Sequence, residues 1–325
     1  SFLNNRLTGT FDWYRRNTKD MLVAGATLPA TLGASVPKSN SADMKTIGWE
    51  LSLGWNDRLE NGFSYWVKGV LSDYQATITK YAGNDAGFYS QSDDDGKYYV
   101  GQKIGEIWGY HSNGLFQSDD EAATIDQSEL YAGKWGAGDV KYEDLDNDGK
   151  ITKGEETIYN PGDKSIIGNK TPRYQFGITV GFDYKNFDFE MFWQGTGKRD
   201  YMLSGAQFWG FTSQWDVPYT PALDYWTETN TDAYFPRPGW QNGGNRVTSD
   251  RYLQSAAYGR LKNLTVGYTI PKNLTTKWGI SRLRLYVTGE NLLTITPLND
   301  AFDPETLGGM TYPINRKVAI GLNLT

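Results

Sequence analysis

The feature that most limits how this chain can fold is a two-residue alternation of apolar and polar side chains that recurs along its length. From Tyr174 to Tyr184, YQFGITVGFDY, the even positions carry Tyr174, Phe176, Ile178, Val180, Phe182 and Tyr184, while Gln175, Gly177, Thr179, Gly181 and Asp183 fill the odd ones. Successive strand side chains point to opposite faces, so this is a strand with one oily side. The same alternation runs through Leu7, Phe11 and Trp13; Trp49, Leu51, Leu53 and Trp55; Phe63, Tyr65, Val67 and Leu71; and Phe187, Phe189, Met191 and Trp193. It returns in Leu264, Val266, Tyr268 and Ile270, in Leu283, Leu285 and Val287, and in Val318, Ile320, Leu322 and Leu324. Eight strands are expected.

Long and short connections alternate between them. Asn56–Gly62, Lys185–Asn186 and Pro271–Ser281 are short, whereas 23–42, 82–172, 201–255 and 296–312 are long. A barrel crossing an outer membrane has short turns on its inner side and long loops outside. The opposite face carries Thr, Gly, Asn, Gln and isolated charges, which suits a lumen better than bulk solvent. The alternative with the same alternation is a secreted antiparallel sandwich.

Bulk properties remove several function classes. The chain has 325 residues, no cysteine and one histidine, which excludes disulfide frameworks and thiolate or histidine zinc sites. Net charge is −6, with no block of Lys and Arg, and this argues against nucleic acid as a partner. No run of 18 apolar residues offers a membrane-spanning helix. The opening SFLNNRLTGTFDWYRR does not read as a secretory leader, so the chain is expected to be cytosolic or a piece of something longer.

Several stretches together resemble the C-terminal part of the SusC/RagA family of TonB-dependent outer-membrane transporters of Bacteroidetes. They are TFDWYRRNTKDML (10–22), GEIWGYHSNGLFQS (105–118), GDVKYEDLDNDGKIT (138–152) and DKSIIGNKTPRYQFGITVGFDYKNFDFEMFWQGTGKRD (163–200). YGRLKNLTVGYTIP (258–271), LRLYVTGENLLTIT (283–296), FDPET (302–306) and YPINRKVAIGLNL (312–324) complete the set. The resemblance implies an all-β fold, an antiparallel transmembrane barrel of about 22 strands, of which residues 1–325 would be roughly the last third. It implies a plug and a TonB-contacting segment outside this chain, a SusD-like surface lipoprotein as lid, and energised import of oligosaccharides, with oligopeptides as the second substrate class. A family chain usually finishes on an aromatic, so a terminal Phe is expected after Thr325. No catalysis is expected.

Within 82–172 the run DLDNDGKITKGE (144–155) has the ligand pattern of an EF-hand loop. Its expected Ca²⁺ ligands are the carboxylates of Asp144, Asp146 and Asp148, the carbonyl of Lys150, Thr152 directly or through water, and both oxygens of Glu155. Gly149 permits the turn and Ile151 anchors it. The flanks GDVKYE and TIYNPGD show no amphipathic helix, so a structural staple in an external loop is expected rather than a sensor.

The 201–255 connection is rich in rings: Phe208, Trp209, Phe211, Trp215, Tyr219, Tyr225, Trp226, Tyr234, Phe235 and Trp240. Aromatic faces stack on sugars, but a long loop also needs a core of its own. Trp209, Trp215, Trp226 and Trp240 are the candidate substrate contacts. Trp13, Trp49, Trp55, Tyr184 and Trp193 read as interfacial girdle residues. His111 has no Cys or second His beside it and reads as a plain surface or packed residue. GTGKR (195–199) lacks the full phosphate-loop spacing, and SDDD (92–95) and SDD (118–120) read as solvated acidic turns.

Overall fold

The computed structural model describes every residue except 1, 25–30, 32, 34–36, 90–97 and 308–311. The acidic run at 92–95 lies outside the described residues, as does much of the first long connection. Eight long strands form one antiparallel sheet in chain order. They are β1 (Leu7–Ala24), β2 (Lys38–Arg58), β3 (Ser64–Tyr81), β4 (Arg173–Tyr184), β5 (Phe187–Lys198), β6 (Tyr258–Thr269), β7 (Leu283–Ile295) and β8 (Lys317–Leu324). All eight expected strands are present, several of them longer than the alternation alone marked. The connection expected at 23–42 shortens, because β1 and β2 stay paired as far as Ala24 opposite Lys38.

Each strand pairs only with its neighbours in sequence, so alternate connections leave from opposite ends of the sheet. All the long segments therefore emerge at one end. At the other end the β4–β5 turn is two residues, with Lys185 at φ +54°. Asn186 clips that turn to β6, donating its side-chain amide to the Thr269 carbonyl at 2.6 Å.

The two faces differ sharply. One register row crosses all eight strands as Leu7, Trp55, Val67, Val180, Met191, Leu264, Gly289 and Val318. The adjacent row on the other face reads Asn56, Trp66, Gly181, Glu190, Thr265, Thr288 and Ala319. Here the Thr265 and Thr288 hydroxyls share a hydrogen bond of 2.9 Å. Gly181 is glycine for want of space, since a Cβ there would collide with the Trp66 indole. The apolar face is open: Phe11, Trp13, Val266, Val287, Ile320 and Leu322 are exposed. The sandwich alternative is not what forms, because the strands make one continuous sheet and the other sheets among the described residues have two strands each.

The buried core sits in the long connections instead. Tyr110, Leu115, Val140, Tyr142 and Ile151 from 82–172 pack with Leu203, Phe208, Trp209, Trp226, Phe235 and Tyr252 from 201–255 and with Leu298 beyond β7. Phe208 meets Trp209, Phe235, Tyr252 and Phe302 edge to face. Ordering segments this long costs chain entropy, and burying rings against each other offsets it. The result is one cap over one end of the sheet. Arg260 of β6, 2% exposed, fastens the segment after β7 to the sheet, reaching Asp303 at 2.6 Å and Glu305 at 3.2 Å.

Candidate functional site

The cap holds every candidate site residue. At 144–155 the backbone winds around Asp144, whose carboxylate accepts the amides of Asp148 at 3.2 Å and Gly149 at 2.7 Å. Gly149 adopts φ +84° and Asn147 φ +62°, the left-handed turns that the compact loop needs. Ile151 is buried, as an anchor beneath the loop should be, and its amide bonds to the Asp126 carbonyl at 2.7 Å.

The acidic cluster is not the one the motif predicts. Oxygens of Asp144, Asp146 and Asp163 all lie within 4.8 Å of one another. Asp163 is buried, with its two oxygens accepting the amides of Leu145 at 2.8 Å and Thr152 at 2.7 Å. Asp148 turns away to accept the Lys150 amide at 2.8 Å, and Glu155 is exposed outside the cluster. The reason is local. In an EF-hand a helix follows the loop and aims the twelfth residue inward. No helix follows here: the chain leaves at Lys153, turns through 154–161 and returns to Asp163. Gly154 and Gly162 meet where it closes, each with a would-be Cβ 2.5 Å from the other's amide nitrogen. Asp163 follows the NPG turn of TIYNPGD, a signal visible in the sequence but outside the twelve-residue template.

Crowding separates the two loop carboxyls. Burial, then the neighbouring charges of Asp148 and Asp163, push Asp146 above the ordinary carboxylate range against the pull of the Asp148 amide. At Asp144 desolvation acts upward too, but the amides of Gly149, Asn147 and Asp148 outweigh it and hold the group low.

The four candidate tryptophans divide. Trp209 and Trp226 belong to the buried ring cluster, so neither can offer a face without opening the cap. Trp226 lies against Gly138, where a side chain would strike its ring. Trp215 is 83% exposed and Trp240 45%, and only these two present rings outward. Composition could not separate them, because packing partners decide.

His111 is a joint between loops. Its Nδ1 lies 2.7 Å from Asp250 Oδ2 and its Nε2 2.7 Å from Ser165 Oγ, while Asp250 Oδ1 accepts the Ser112 amide at 2.9 Å. Backbone bonds at the same place, Tyr110 N to Thr248 O at 3.0 Å and Asp250 N to Tyr110 O at 3.1 Å, continue the joint. The order serine, histidine, acid also serves hydrolases; here one ring pegs three chain segments together. Ser165 and Asp250 carry no sequence signal linking them to His111.

Comparisons with known proteins agree with this architecture. TonB-dependent receptor P3 of Formosa agariphila is 29% identical over 353 residues, taking in 100% of this chain and 33% of the relative. TonB-dependent receptor SusC of Bacteroides thetaiotaomicron is 25% identical over 330 residues, taking in 99% of this chain and 30% of the relative. Over its whole length the chain is similar to the SusC/RagA family of TonB-dependent receptors. Among solved structures, the RagAB peptide transporter superposes with a TM-score of 0.73 at 21% identity, over 99% of this chain and 34% of that one, which establishes the fold. No protein-family model matches the chain. The chain spans about a third of the length of the curated relatives it matches.

Proposed function

We propose that this chain is the C-terminal part of a transmembrane barrel wall in an outer membrane, and that the whole protein imports oligosaccharides with energy from TonB, under a SusD-like lipoprotein lid. The observation that carries the reading is the register row from Leu7 to Val318, apolar across all eight strands and uncovered by any second layer among the described residues. Hydrocarbon satisfies such a face, and strands of 18–21 residues in β1, β2 and β3 exceed the roughly 9–11 needed to cross. The outer edges of β1 and β8 have no partner strand among the described residues, and the remainder of an approximately 22-stranded barrel would close them. Among the described residues no helix is long and apolar enough to cross a membrane. The lining of the opposite face by Asn, Glu and Thr suits a wet lumen. Trp215 and Trp240 are the rings available to sugars.

The loop at Asp144, Asp146 and Asp163 we assign to Ca²⁺. Its donors are hard oxygens, and a 4.8 Å spread suits a cation with oxygen ligands at about 2.3–2.6 Å. The ion would cancel carboxylate repulsion and brace the cap.

The test is uptake by cells lacking the full-length gene and complemented with it, offered labelled oligosaccharides and, separately, labelled oligopeptides. The reading expects energy-dependent uptake of the sugars. Uptake of peptides alone would transfer the assignment to the second substrate class. Uptake of neither would overturn it.

A further inference from the structure

An open cleft of about 490 Å³ lies where the 201–255 segment meets the turn after β7. Pro221, Tyr234, Arg251, Gln254, Pro297 and Asn299 are among the residues lining it. The amide of Asn299 donates to Gln254 Oε1 at 2.9 Å and Gln254 Nε2 donates to the Tyr234 hydroxyl at 3.0 Å, so the walls are tied to each other.

Arg251 is held from one side only. Its Nη2 donates to the carbonyls of Ala233 at 2.6 Å and Tyr234 at 2.9 Å, and Nε reaches the Tyr252 hydroxyl at 3.3 Å. Among the described residues its Nη1 has no hydrogen-bond partner and Arg251 forms no ion pair. Arg6, Arg173, Arg237, Arg260 and Arg284 each have a carboxylate partner. Asp224 lines the same cleft, but its oxygens accept the Asn230 side-chain amide at 3.1 Å and the Tyr234 amide at 3.2 Å, and it does not pair with Arg251.

A guanidinium fixed through Nη2 by two carbonyls, on a residue that lines a cleft together with prolines and a tyrosine, is a pre-organised anion anchor. We propose that the cleft is a substrate subsite for oligomers bearing a carboxylate, with Arg251 Nη1 donating to the carboxylate and Tyr234, Pro221 and Pro297 packing on the adjoining unit. The proposal rests on the import reading above and narrows its substrate. The carboxylate can belong to a uronic acid residue or to a peptide.

Four pools test it with full-length protein purified in detergent: uronate-containing oligosaccharides, the same pool after carboxyl reduction, mixed short peptides, and the same peptides after amidation. Retained molecules are quantified by mass spectrometry. A charge-assisted hydrogen bond is about twice as strong as a neutral one, so the acid form of one pool is expected to be retained about tenfold over its blocked counterpart. The pool that shows this preference names the source. Arg251→Gln should remove the preference, and Arg251→Lys, which restores the charge with fewer carbonyl bonds, should keep much of it. Equal retention of acid and blocked forms, retention of neither, an unchanged preference in Arg251→Gln, or equal loss in both variants would overturn the subsite. Energy-dependent uptake by cells making Arg251→Gln separates this from the import reading, which fails only if wild-type cells take up nothing.

Discussion

His111 Nδ1 stands 2.7 Å from Asp250 Oδ2, joining two residues 139 positions apart in the chain. With Ser165 on the other ring nitrogen, the imidazole ties the 82–172 segment to the 201–255 segment at one point. His111→Ala removes both bonds and strands the Asp250 carboxylate on the Ser112 amide alone. Bonds to charged groups contribute about 1.5–3 kcal/mol. Amide hydrogen exchange should accelerate at 109–112 and 248–250 in the full-length protein, while the ladders of β1–β8 keep their protection. Unchanged exchange at both places would show that the ring bears no load.

Arg260 closes the cap at its other end. Buried at 2% exposure and shared between Asp303 and Glu305, it also donates from Nε to the Thr294 hydroxyl at 2.9 Å. Arg260→Ala leaves two carboxylates with only Lys262 to oppose them, at 3.0 Å from Glu305. Removing one partner of a buried pair destabilises by about 3 kcal/mol or more. The expected result is faster proteolysis within 297–307 at unchanged yield of folded sheet. Resistance equal to that of wild type would assign the attachment to Leu298 and Phe302 packing instead.

The strands were legible because their signal is local: two-residue alternation in YQFGITVGFDY says which side of β4 is oily without reference to anything else. The cap was not, because its contacts are distant in sequence. Phe208 packs on Phe302, and the Val140 amide reaches Asn245 Oδ1 at 2.8 Å, pairings that no spacing announces. For that reason Trp209 and Trp215, six residues apart, looked alike until one was found buried and the other exposed. The calcium template was legible only in part, because it assumes a helix after the loop, whereas an excursion through Gly154 and Gly162 brings Asp163 beside Asp144 and Asp146 and leaves Glu155 outside that cluster.

The two candidate Ca²⁺ ligand sets, one with Glu155 and one with Asp163, separate by experiment. Titrating the full-length protein with CaCl₂ should give a weak site, with Kd on the order of 10⁻⁴–10⁻³ M as in extracellular modules. Asp144→Ala and Asp163→Ala should each abolish the heat signal, and Glu155→Ala should leave it near the wild-type value. Chelation should then increase cleavage within 144–163 without loosening β1–β8. A dependence on Glu155 equal to that on Asp163 would restore the twelve-residue ligand set.

Acid should release the exposed turn that carries Trp215. The Asp216 carboxylate accepts the Thr212 hydroxyl and amide, both at 2.6 Å, and the Ser213 amide at 2.8 Å. The Thr212 hydroxyl first, then the Thr212 and Ser213 donors, outweigh slight desolvation and lower its pKa from 3.8 to about 2. A carboxyl lowered on folding contributes stability above its unfolded value, and that contribution is lost as pH falls through the folded one. The turn should therefore hold from neutral pH to about 4 and open between there and 2. Trp215 is 83% exposed and its amide bonds to Ser213 Oγ at 3.2 Å, so its emission reports the opening. The difference spectrum against Trp215→Phe should show one acid transition in that window, and Asp216→Asn should remove it. A transition that persists in Asp216→Asn would place the titrating group elsewhere in the cap.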